Sequence, residues 1–140
     1  MFKNKFIALI ILTSALFIAC GETKEKEEKS DETIVFGETK VEVYYFHGDR
    51  RCPNCNAIER VAKNLVNEEY IDNEDVKFFV INFEKAENKE IAQKYNITWS
   101  SLVIASEEQS IDLTMEAFQY SMTNPDFLRN EINEVINDFL

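Results

Sequence analysis

The chain has 140 residues and a mass of 16.3 kDa, the size of one domain and too short for two. A hydrophobic content of 45% supplies a core, and three Gly with two Pro exclude collagen-like and low-complexity chains. The net charge of −11 has the wrong sign for tracking a phosphate backbone, one His excludes a His-rich metal site, and three Cys are too few for a disulfide-scaffold miniprotein.

Met1 to Lys5 carries two lysines, and Phe6 to Ala19 is a run of fourteen residues without charge. A spanning helix needs about 20 apolar residues, so the run is short for a membrane anchor and fits a secretory signal. It ends at Phe17-Ile18-Ala19-Cys20-Gly21. This stretch resembles the bacterial lipoprotein signal, with Phe17 in place of the usual Leu. The resemblance implies that residues 1–19 are removed and that Cys20 is lipidated, palmitate included, as the mature N-terminus. Two or more acyl chains anchor a protein stably where one is marginal. The expected place is then the cell envelope of a bacterium, lipid-anchored and facing the periplasm or the exterior.

Gly21 to Glu32 has six acids, three lysines and no large apolar residue. It cannot bury enough surface to offset its ordering entropy, so residues 20–32 read as the lipidated cysteine plus a charged flexible tether. Fully extended, twelve residues reach roughly 40 Å.

The folded domain is expected over residues 33–140. Thr33 to Phe36 reads as a short edge strand. Val41 to Phe46 is β-branched and aromatic and reads as a strand, broken at His47-Gly48-Asp49. From Pro53 the period changes: Ala57, Ile58, Val61, Ala62, Leu65 and Val66 recur at three and four, one face of a helix. Pro53 suits a first helical position, where its missing N–H costs nothing. Val76 to Phe83 reads as the second strong strand and Asn88 to Tyr95 as a short helix. Leu102 to Ala105 and Ile111 to Leu113 read as strands joined by a polar turn at Glu107-Glu108-Gln109. Asn124 caps and Pro125 starts a last helix to Leu140, with Leu128, Ile132, Val135, Ile136 and Phe139 as its apolar stripe. Strand, helix, strand, helix, strand, strand, helix favours a three-layer α/β domain with a mixed sheet: parallel strands plus a terminal antiparallel hairpin.

The informative stretch is Cys52-Pro53-Asn54-Cys55, between a strong strand and the first turn of an amphipathic helix. In a βαβ setting this reads as a thioredoxin-like redox motif. With VEVYYF before it, VKFFVINF after the helix and Lys94-Tyr95-Asn96-Ile97 before the third strand, the chain resembles the thioredoxin-like superfamily over nearly all of 33–140. The resemblance implies a thioredoxin-like three-layer sandwich with a C-terminal helix. Four positions depart from that pattern. No proline precedes the third strand, and Ser100 or Ser101 stands where the family's cis-proline would face the disulfide. The place of the buried acid, six before Cys52, is Phe46, with His47 beside it as a possible proton acceptor. The aromatic usually found just before the first cysteine is Arg51. The pair between the cysteines is Pro-Asn.

Two thiols three apart at a helix start can close a small disulfide without moving the chain. The thiolate is the nucleophile, and a helix N-terminus supplies about half a positive charge with free N–H donors. Arg50 and Arg51 add guanidinium groups that never deprotonate. Cys52 is therefore expected as the attacking thiol and Cys55, facing the core, as the resolving thiol.

The expected function is a membrane-tethered extracytoplasmic thiol–disulfide oxidoreductase without cofactor. Its expected partners are exported proteins with disulfides or thiols, a membrane redox partner and the lipid bilayer through Cys20, with no nucleic acid. The missing proline opens an alternative, a metal-binding module holding Zn or Cu through Cys52, Cys55 and His47, with Asp49 as a possible fourth ligand. A non-catalytic interaction domain braced by an inert disulfide is a further alternative.

Overall fold

The structure, a computed structural model, describes residues 39–140. The signal run, Cys20, the tether and the expected strand Thr33 to Phe36 lie outside the described residues.

The described residues form, in chain order, β1 (Val41–His47), α1 (Pro53–Glu69), β2 (Val76–Asn82), a 3-10 turn (Ala86–Asn88), α2 (Lys89–Lys94), β3 (Ser101–Ala105), β4 (Ser110–Asp112), α3 (Thr114–Tyr120) and α4 (Pro125–Phe139). The sheet order is β2-β1-β3-β4. β1 and β2 run parallel, because α1 carries the chain back across the sheet, while β3 and β4 are antiparallel to their neighbours. The hairpin closes where Ser106 N–H donates to the Gln109 carbonyl at 2.8 Å.

β1 is buried on both faces, which is why VEVYYF reads as a continuous apolar strand rather than an alternating one. Val41, Val43 and Tyr45 pack with Leu102 and Ile104 of β3 against α1, α3 and α4. Tyr44 and Phe46 pack with Val103, Ala105 and Ile81 against Ile91 of α2. The two clusters make the three layers expected from the sequence. Glu42 is buried in β1, and its carboxylate accepts from the Tyr44 hydroxyl at 2.5 Å. Burial, then the bond to Glu42, push the Tyr44 phenol far above its ordinary range.

Two helix ends are closed by local chemistry. Asn124 Oδ1 accepts from Phe127 N–H with Pro125 in the first turn of α4, as its sequence indicates. Past α2, Asn96 takes the left-handed conformation (φ 55°). There its N–H donates to the Gln93 carbonyl and that of Ile97 to the Ala92 carbonyl. This is a Schellman termination, and Asn is the residue other than Gly that tolerates it best.

The sequence reading misses α3. Leu113, expected to end the fourth strand, precedes this helix, and Asp112 Oδ1 accepts from Thr114 N–H at 2.8 Å as the chain turns. Thr114 in turn accepts from Leu102 N–H through its hydroxyl, tying the start of α3 to β3.

Leu128, Ile132 and Ile136 of α4 have no exposed surface, and each such side chain contributes about 1.5–3 kcal/mol by burial. Ile132→Ala is expected to lower stability by about 2–5 kcal/mol, read as a lower urea midpoint with unchanged slope.

Candidate active site

β1 ends at His47, and α1 begins past a short loop, at Pro53. Cys52 is the cap of α1: its backbone is extended (φ −86°, ψ 163°) and its Sγ accepts from Cys55 N–H at 3.0 Å. Pro53 occupies the first turn, as expected, where no intrahelical donor is lost. The cysteines are joined as a disulfide, with Cα atoms 5.0 Å apart. Cys55 is buried among the apolar residues of α1, whereas Cys52 is half-buried. The first turn of α1 contains no acidic residue, so no carboxylate competes with the Cys52 sulfur for the positive end of the helix.

The two arginines behave differently. Arg51 closes on Glu59, one helical turn beyond Cys55, and lies over the Tyr45 ring at 5.6 Å from its centroid. Its charge is thus shared with a carboxylate rather than offered undivided to Cys52. Burial works against the charged guanidinium, but the bond to Glu59 and the influence of Tyr45 prevail and raise its pKa above the ordinary value. Arg50 is exposed and, among the described residues, makes no ion pair.

Sheet alternation places Phe46, Tyr45 and the two serines on their sides of the sheet. Counting six back from Cys52 reaches Phe46, but Phe46 points to the α2 layer, and the residue on the α1 side is Tyr45. Tyr45 has no exposed surface, and its hydroxyl is buried without a hydrogen bond of normal geometry. Burial raises the phenol's pKa, while Arg51 and Ser100 pull the other way. Of the two serines, Ser101 pairs with Phe46 and turns its hydroxyl back to the Trp99 carbonyl at 3.0 Å. Ser100 is the serine beside Tyr45 on the α1 side. Every peptide bond among the described residues is trans.

His47 stacks on Tyr45, ring centroids 6.0 Å apart, and its Nδ1–H donates to the Gly48 carbonyl at 2.9 Å. Asp49 is drawn to the end of β2 instead: Asn82 Nδ2 donates to its carboxylate at 2.7 Å and Lys85 lies 3.8 Å away. The bond from Asn82 and the Lys85 charge hold the Asp49 carboxyl below its usual range. Among the described residues, no group of three or more His, Cys, Asp or Glu side chains is arranged to hold a metal ion.

Asn54, between the cysteines, reaches α3. Its Nδ2 donates to the Phe118 carbonyl at 2.9 Å, and its Oδ1 accepts from the Ser121 hydroxyl at 2.7 Å. Phe118 also stacks on Trp99, centroids 5.4 Å apart. The sequence reading gives Asn54 no role because its partners lie more than sixty residues away, on and just beyond the helix it misses. Asn54→Ala is expected to lower stability by about 1–3 kcal/mol, since a part-buried carbonyl and the hydroxyl of buried Ser121 lose their partner. Ser121→Ala should cost less, because the Phe118 bond remains. Urea unfolding of the two variants checks the order.

A family profile described as Thioredoxin matches residues 29–136. Similar solved structures include Trxlp from Edwardsiella tarda EIB202, at 19% identity and a TM-score of 0.49 over 69% of this chain and 84% of that one. A mutant thioredoxin from Halobacterium salinarum NRC-1 is similar at 19% identity and a TM-score of 0.48, over 70% and 76%. Thioredoxin from Fasciola hepatica is similar at 21% identity and a TM-score of 0.47, over 70% and 83%. No curated protein matches the chain. With the profile spanning most of the chain, and with a Cys52–Cys55 disulfide opening the helix that follows β1, this protein belongs to the thioredoxin family.

Proposed function

We propose that the protein is a membrane-tethered, extracytoplasmic thiol–disulfide oxidoreductase acting on exported proteins. The observation that carries the chemistry is the Cys52 sulfur at the cap of α1, bonded to Cys55 and accepting its N–H.

In the reduced enzyme, the Cys52 thiolate attacks a sulfur of the partner's disulfide. A Cys52–partner bond forms, the partner's S–S bond breaks, and the partner's second sulfur leaves as a thiolate and takes up a proton. Cys55 gives up its proton and attacks Cys52 Sγ. The Cys52–Cys55 bond forms and the mixed disulfide breaks. Two electrons have passed to the partner, which leaves as a dithiol. Run backwards, the same steps oxidise a dithiol. A membrane redox partner restores the starting form.

The tether rests on the sequence: an uncharged run ending at Cys20, then a polar segment. Among the described residues no helix is long and apolar enough to cross a membrane. In this reading the acyl chains on Cys20 hold the domain at the bilayer.

Alkylation of the reduced protein across pH tests the roles of the cysteines. Cys52 is expected to react at a pH below the free-thiol value of about 8.5, with Cys55 slower. Cys55→Ser should accumulate a mixed disulfide with a partner polypeptide, and Cys52→Ser should accumulate none. Faster alkylation of Cys55, or trapping by Cys52→Ser, reverses the assignment.

For the anchor, Cys20→Ser is expected to leave an unprocessed precursor that takes up no labelled palmitate. Equal incorporation removes lipidation at Cys20 from this reading.

A further inference from the structure

We propose that the enzyme selects polypeptide partners whose reacting cysteine has a carboxylate on one side and an apolar side chain on the other, read by Arg50 and by the Trp99–Phe118 pair. This rests on the oxidoreductase reading and names the substrate class of that site.

Exchange brings a partner sulfur to bonding distance of Cys52 Sγ. The partner's neighbouring residues must then lie across the surface that borders Cys52. Arg50, two residues before Cys52, is exposed. Arg51 is closed on Glu59, whereas Arg50 makes no ion pair among the described residues, in a chain of net charge −11. An exposed guanidinium two residues before the reactive cysteine, without an ion pair among the described residues, is complementary to a carboxylate on the incoming chain.

The second border is aromatic. Trp99 is 50% exposed with its ring stacked on half-buried Phe118. A lone exposed apolar residue needs no explanation. This one is coupled to the reactive turn, because the Phe118 carbonyl holds Asn54, the residue before Cys55. Ser121, which also holds Asn54, is followed by Met122, 61% exposed. The result is an apolar shelf fixed to the disulfide by two hydrogen bonds, suited to an aliphatic or aromatic side chain. A small disulfide without flanking residues can use neither border.

The test uses the reduced full-length protein with hydroxyethyl disulfide and with synthetic cyclic disulfide peptides. The peptides carry Glu or Lys on one side of the reacting cysteine and Leu or Ser on the other. Wild type is expected to reduce the Glu peptides about two to five times faster than the Lys peptides at low salt, with the gap closing at high salt. Arg50→Glu should reverse that order. Leu should be favoured over Ser by about three- to tenfold, and Trp99→Ala should remove the preference. Each variant's rate with hydroxyethyl disulfide, which uses neither border, is the reference to which its peptide rates are scaled, so a general change at Cys52 cancels from the ratios. An unchanged Glu-to-Lys ratio in Arg50→Glu overturns the carboxylate half. Equal slowing of every probe in Trp99→Ala shows a structural role for the ring and overturns the apolar half. If wild type exchanges with hydroxyethyl disulfide but shows neither preference, the proposal falls and the oxidoreductase reading stands. If it exchanges with no probe, that reading falls and takes the selectivity with it.

Discussion

The arrangement depends on a cysteine serving as a helix cap. Cap positions favour Ser, Thr, Asp and Asn because a short side chain must accept a hydrogen bond from an orphan N–H. Here Cys52 Sγ does so, at 3.0 Å from Cys55 N. One atom thus ends the strand-to-helix connection, satisfies a backbone donor and forms half of the disulfide. Pro53 cannot donate and so leaves fewer orphan groups around that sulfur. The absence of acids in the first turn keeps the positive end of α1 directed at Cys52 alone.

The surroundings hold that cap in place from two sides. From α3 and the turn after it, Asn54 is gripped through both ends of its amide, so the turn between the cysteines cannot swing without breaking two hydrogen bonds. From the other side, Arg51 bridges Glu59 and the face of Tyr45, pinning the residue before Cys52 to both α1 and β1. β1 can serve as this foundation because it is central in the sheet and buried on both faces. Arg51 thereby acts as a brace more than as a free charge.

Much of the fold was legible in the sequence where a single period governs a segment. α1 and α4 carry clean stripes at three and four, and their starts are marked by Pro53 and by Asn124-Pro125. The strands of the core are apolar runs bounded by polar turns. α3 was not legible for a physical reason. Its seven residues bury only Thr114 and Ala117, while Met115 stays exposed, so no apolar stripe distinguishes it from the strand before it. Asn96 stands where a glycine is usual, yet the helix end it makes is the same, because the left-handed conformation is open to both residues. At the site, the cysteines and Pro53 were legible from spacing. The sides taken by Phe46 and Tyr45 were not, since counting back from Cys52 crosses a loop whose length does not preserve strand parity, and the distance back from the third strand left Ser100 and Ser101 both open. The Asn54 clamp is a long-range contact to the helix that went unseen, and no local pattern announces it.

The division of labour between the two sulfurs follows from position rather than residue type. In the disulfide both are neutral, and the bond from Cys55 N–H to Cys52 Sγ is a weak one to a soft acceptor. Once the disulfide opens, negative charge on Cys52 sits at the helix end, where donors and dipole favour it and solvent reaches it. Negative charge on Cys55 would sit among the buried residues of α1, where removal from water opposes it. In the proposed exchange, reduction strengthens the cap at Cys52, while Cys55 stays an apolar core residue. On the proposed function, half-buried Cys52 is the sulfur that a partner reaches, and buried Cys55 is the one whose work begins only after the mixed disulfide has formed.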